Sequence, residues 1–162
     1  MLGKEVLLKQ WEYNRWANDR VLELAGKIIQ VQFVSSSTLG RSLQEIFFHM
    51  LRTDWIWRNL CEQGRIEPDM APRFDQFKDI KAIKNSLKEE EQRIQALISR
   101  WTETELAESV RIHNWDGSES TLIRWHMLVH NMLHNMQHRT EAAVILTSFS
   151  QSPGDLDFIH FV

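Results

Sequence analysis

The chain has 162 residues, 43% of them hydrophobic and 25% charged, which suits one soluble globular domain over residues 1–162 with a core of its own. Its net charge is −3, and no cluster of Lys or Arg is dense enough to form a phosphate-binding stripe, so nucleic-acid binding is excluded as an expected function. No apolar run approaches the ~18 residues of a membrane span, the start MLGKEVLLKQ lacks the apolar region of a signal peptide, and the lone Cys61 rules out an internal disulfide or a Cys-rich zinc site.

These features predict a cytoplasmic protein with no membrane partner, in which Cys61 is a packing residue. Prolines stand only at 68, 72 and 153, leaving long stretches open to helix. The first helix is predicted over residues 4–27, where Leu7, Trp11, Asn14, Ala17, Val21 and Leu24 recur at three- and four-residue spacing. A Ser-rich loop follows over 34–38. The second helix is predicted over 39–62, with Ile46, His49, Thr53, Ile56 and Leu60 on one face. Ser42 and Glu45 have the spacing of a capping box.

Gly64, Pro68 and Pro72 break the next connection. A third helix is predicted over 78–101 on Ile80, Ile83, Leu87, Ile94 and Leu97, with the run Glu89-Glu90-Glu91 read as a solvated face. Between 106 and 121 the period changes. Val110 and Ile112 alternate with polar neighbours and Asp116-Gly117 is a turn dipeptide, which predicts a short β-hairpin. The fourth helix is predicted over 122–147. The tail is read as irregular but packed, through Leu156, Phe158, Ile159 and Phe161. The fold class is therefore all-α, a four-helix bundle with a short hairpin before the last helix.

The last helix carries His126, His130, His134 and His138 at even spacing. At about 100° per residue, Ile123, Met127 and Ile145 fall within about 40° of the midpoint of His134 and His138. That pair is predicted to face the core, with His126 near the edge of the stripe and His130 intermediate. Two imidazoles at i and i+4 can grip one metal ion. His49, on the inner face of another helix, is the best third ligand. His113 on a strand and His160 in the tail are weaker candidates. Three His ligands with an open fourth position is a catalytic rather than a structural pattern. Against it stands the ordinary role of a buried histidine, which bonds a carbonyl or carboxylate and binds nothing. Glu141 lies near the His134 face, where a carboxylate can orient a ligand imidazole. A second apolar strip, Trp125, Met132, Met136 and Ala143, lies roughly opposite His134. It predicts cover by another helix or by a second subunit.

Three stretches carry a family likeness: YNRWANDRVL at 13–22, FFHMLRTDWIW at 47–57, and HNMQHRTEAAVIL at 134–146 with the ending PGDLDFIHFV. In this order they resemble the DinB-like (DinB/YfiT-like) metalloenzyme family across nearly the whole chain. The resemblance implies a four-helix bundle, often dimeric, with a metal held by His49, His134 and His138. Relatives often have a second His before the last ligand and a Gly-Gln pair after it; Gln137 and Thr140-Glu141 stand in those places here. Some relatives are thiol-dependent transferases or isomerases. The family name refers to induction by DNA damage and implies no contact with DNA.

The reading is a metal-dependent enzyme with a three-histidine site, transferring a low-molecular-weight thiol or activating water for hydrolysis. Its cofactor is a divalent ion, zinc or nickel, and its expected assembly is a homodimer. The alternatives are a non-catalytic metal- or small-ligand-binding bundle, and a purely structural bundle with polar core histidines.

Overall fold

The computed structural model describes residues 3–114 and 116–162. Four long helices, α1 (Lys4–Ala25), α3 (Leu43–Gln63), α4 (Ile80–Arg100) and α6 (Arg124–Ser148), carry the fold. Two short helices, α2 (Gln30–Val34) and α5 (Glu103–Ala107), and a hairpin of β1 (Ser109–His113) and β2 (Glu119–Ile123) fill the connections. Both α1 and α3 pack on α4 and α6, so α1 and α3 stand diagonally across a four-helix bundle. None of these helices is long and apolar enough to cross a membrane.

Local chemistry sets the ends of the elements. The Ser42 Oγ accepts from the Glu45 backbone N–H at 3.1 Å, and Glu45 accepts from the Ser42 N–H at 2.7 Å. This capping box starts α3 at Leu43, four residues later than the periodicity alone suggests. Asp79 caps α4 through the Ala82 N–H at 2.9 Å. Thr102 and Glu105 form a second capping box that starts the unanticipated α5. The five-residue α2, also unanticipated, is too short to show a helical period. Asp116 accepts from the Ser118 N–H at 2.9 Å and Gly117 has φ +80°, closing the predicted hairpin turn.

The hairpin is clipped to the end of α3. The His113 N–H donates to the Gly64 carbonyl at 2.9 Å. A Cβ at Gly64 would lie 2.2 Å from the Arg111 carbonyl oxygen, and φ there is +70°, so only glycine fits. Arg124, at the start of α6, donates to the Cys61 carbonyl at 3.0 Å and to Glu108 at 3.2 Å. Its guanidinium lies 4.8 Å over the Trp101 ring. Buried Cys61 packs as expected, and its burial pushes the thiol up to about 12.

The interior holds two apolar clusters. One gathers Val21, Phe33, Ile46, Met50, Ile83, Leu87 and Leu146. The other gathers Leu7, Trp11, Cys61, Ile94, Ile98, Ile112 and Leu128. Between them in sequence, on all four long helices, lies a buried polar layer: Asn14, Asn18, Asp54, Glu90, Glu91, Asn131, Asn135 and Arg139. Arg139 donates to the Asn14 and Asn18 side-chain oxygens, both at 2.8 Å, and Asn18 donates to Glu91 at 2.6 Å. Asn131 and Asn135 both donate to one Asp54 oxygen, at 2.8 and 2.6 Å. Glu90 pairs with Arg58 and with Arg93. Glu90 and Glu91 are thus buried, correcting the reading of the acidic run as solvated. Burial pushes the Asp54 carboxyl up to about 7 and that of Glu91 up to about 8.

The tail is packed only in part. The Tyr13 hydroxyl donates to the Leu156 carbonyl at 2.8 Å, and the Phe158 and Phe161 rings lie 5.3 and 6.1 Å from the Tyr13 ring. Ile159 is 70% exposed, against the expectation that it packs.

Candidate metal centre

The packing of α3 on α6 places His49 on the flank that faces α6, about two turns into α3 from its capping box. On α6 the i, i+4 spacing places His134 and His138 one turn apart on one side. The His49 and His134 Nε2 atoms are 3.2 Å apart, and the His134 and His138 Nε2 atoms 3.1 Å. The three candidate donor atoms lie within 4.8 Å of one another. Two imidazole nitrogens on one ion, each at ~2.0–2.1 Å with a tetrahedral angle, would stand about 3.4 Å apart. The observed spacings sit close to that value.

Hydrogen bonding among the rings themselves cannot satisfy the cluster. A neutral imidazole carries one N–H. The His138 Nδ1 faces the Glu141 carboxylate at 3.0 Å, and a carboxylate only accepts, so the His138 hydrogen belongs on Nδ1. The His138 Nε2 then turns a lone pair toward His134. If His134 donates from Nε2 to His138, the same hydrogen cannot also serve His49. If it accepts at Nε2 instead, its own hydrogen sits on Nδ1, which is buried with no partner. A shared cation accepts three lone pairs at once and removes the conflict.

Electrostatics keep the lone pairs available. Burial is the main cause that holds His134 down at about 4, reinforced by His138 and His49. Burial also lowers His49, followed by the charges of His138 and Arg41, while Glu141 opposes them and Arg52 contributes least. Both rings are therefore neutral at pH 7. Glu141 orients His138, three residues before it, and is itself 3.7 Å from the Arg41 guanidinium.

The remaining histidines stand apart from this cluster. His130 is exposed, edge-on to Trp57 at 4.8 Å, with its ring 6.2 Å from that of His134. His126 is exposed against Trp125. His113 pairs with Glu119 and His160 with Asp155. The expectation that the His134/His138 pair faces the core needs correction. The buried stripe of α6 runs through Leu128, Asn131, Asn135, Arg139, Ala142 and Leu146, and the two histidines are half-buried at its flank. Arg41 and Arg52 were not singled out from the sequence, because their place beside His49 depends on how α3 and α6 pack. A cavity of about 470 Å³, lined by Trp55, Phe77, Glu90 and Arg93, contains none of the histidines.

The profile of the DinB family matches residues 1–161. A DinB-like protein from Bacillus subtilis, YjoA, is similar to this chain in fold. Its crystal structure aligns with a TM-score of 0.67 and 16% identity, covering 90% of this chain and 93% of that one. No curated protein matches the chain.

Proposed function

The chain belongs to the DinB family, and on that premise we propose that it is a metal-dependent enzyme whose His49, His134 and His138 hold one divalent ion, zinc or nickel. The observation that carries the proposal is the conflict among the three rings, whose nitrogens converge at 3.1–3.2 Å with no arrangement of hydrogens that serves them all. Neutral imidazoles suit both metals. The Glu141 contact to His138 Nδ1 is the carboxylate–histidine pairing that fixes ring orientation at metal sites.

A cation held by three neutral ligands keeps its full charge and acidifies a thiol or water that joins it. Of these two, the proposal favours a low-molecular-weight thiol delivered to an electrophile. Glu141 is already engaged by His138 and Arg41 and is poorly placed to act as a base for water. A thiol needs no such base once it is acidified. The test is to incubate metal-loaded protein with several thiols and a generic electrophile, with His134→Ala as the control. A rate that depends on His134 for at least one thiol is expected. Equal rates across every thiol would leave a non-catalytic metal binder as the better reading.

The proposal includes a homodimer. Leu133 and Met136 on α6 are 48% and 44% exposed, and Phe158 of the tail 41%. With half-buried Met132 they surround an apolar hollow beside Tyr13. Light scattering at micromolar concentration should give twice the chain mass, and Met132→Glu with Met136→Glu should give the monomer. A monomer in the unaltered protein would contradict this part.

A further inference from the structure

We infer that the small molecule taken at the three-histidine site carries a negatively charged group, and that Arg52 holds that group. The inference rests on the proposed metal site and specifies the class of its ligand: a metal-binding donor and an anion in one molecule.

Arg52 lies three residues after His49, so the two side chains are neighbours on the surface of α3. It is exposed. Among the described residues, each of the other arginines has a polar partner. Arg52 alone has none. Neighbouring carboxylates are already committed. Glu141 serves His138 and Arg41, and Glu45 is bound by both the backbone N–H and the hydroxyl of Ser42. The charged groups named at this rim, Arg41 and Arg52 against Glu45 and Glu141, balance in number, and Arg52 is the one without a partner.

Arg52 brings its positive charge to the turn of α3 that follows His49. A divalent ion on the histidines would add to the same positive field. An anion from solution relieves it, and a guanidinium offers paired donors that suit a planar carboxylate or a tetrahedral oxyanion. One turn of α6 before His134, His130 meets Trp57 of α3 edge-on at 4.8 Å. The ligand is thus gripped at a donor atom by the histidines and at an anionic end by Arg52.

The effect is modest, because Arg52 is open to water. An exposed ion pair is worth at most ~1 kcal/mol, about five-fold in affinity. The test uses cobalt(II)-loaded protein and follows the sulfur-to-cobalt absorption as three thiols are titrated. These are 2-mercaptoethanol (neutral), 3-mercaptopropionate (carboxylate) and 2-mercaptoethanesulfonate (tetrahedral anion). The unaltered protein should bind at least one anionic thiol about five-fold more tightly, relative to the neutral one, than Arg52→Ala does. Whichever anion shows the loss identifies the shape that Arg52 reads. Cobalt content should stay the same in both proteins. One cobalt per chain with relative thiol affinities that ignore Arg52 would overturn this inference alone. A protein that takes up no cobalt would overturn the metal reading and this inference with it.

Discussion

Two groups of polar side chains meet between α3 and α6, and they differ in how their polar atoms are used. In the interior, Asp54, Asn131 and Asn135 are joined to one another, while Arg139 is joined to Asn14 and Asn18 of α1. A short way around both helices, His49, His134 and His138 turn three nitrogens toward one point and satisfy none of them fully. The first group makes direct hydrogen bonds across α1, α3 and α6 and so contributes to the fold, although Asn14, Asp54, Asn131 and Asn135 each keep one buried atom without a partner. The second leaves them unresolved at a half-buried edge, where a ligand can complete them. Substitutions should therefore separate stability from metal binding.

The largest effect on stability is expected from Arg139→Met. It strips the donor from Asn14 and Asn18 in the buried layer. Breaking a buried charged network costs about 3–5 kcal/mol, or roughly 10–15 °C in Tm for a chain of this size. His134→Ala, measured without metal, should cost far less, since the ring is half-buried and its bonds are in conflict. Thermal unfolding of both metal-free variants checks the contrast, which fails if the two lose equal stability.

A second effect should appear with pH. The folded-state values of Asp54 and Glu91, about 7 and about 8, lie above their unfolded values near 4. Between pH 4 and 8 the folded chain therefore holds more protons than the unfolded chain, and stability falls as pH rises. Protonation also suits the layer, because the second Asp54 oxygen is buried with no donor to stabilise a negative charge on it. Urea unfolding of the metal-free protein should show stability falling from pH 5 to pH 8, a fall reduced but not reversed by His134 and His49, whose lowered folded-state values act in the opposite sense. Asp54→Asn combined with Glu91→Gln should flatten that slope. An unchanged slope in the double variant would assign the pH dependence to other groups.

The same contrast explains what the sequence made legible. Periodic apolar residues announce four helices, and Asp116-Gly117 announces the hairpin, because those signals are local. The histidine trio is visible because i, i+4 spacing is a helix property and His49 stands on an inward face. The polar layer is not visible in this way. Glu89-Glu90-Glu91 reads as one solvated run, yet the partner of Glu91 is Asn18, 73 residues away. Judging the α6 face from apolar residues alone omits Asn131, Asn135 and Arg139, which rotates the inferred stripe toward the histidines. The capping box at Ser42 was legible, but periodicity before it suggested an earlier start.

A smaller effect tests that capping box. Ser42→Ala should destabilise the protein by about 1 kcal/mol, the ordinary cost of losing an N-cap. Metal affinity should fall only slightly, as the start of α3 frays and His49 loses some order. The smallest effect is expected at Arg52, where Ala should change stability by less than ~0.5 kcal/mol because the side chain is exposed and unpaired. A larger loss in urea unfolding would mean that Arg52 belongs to the fold rather than to the rim of the site.

The most direct test is the metal content of protein purified without an affinity tag, measured by elemental analysis for the unaltered chain and for His138→Ala and His113→Ala. One divalent ion per chain is expected in the unaltered protein and in His113→Ala, and none in His138→Ala. Equal metal in His138→Ala and the unaltered chain would contradict this.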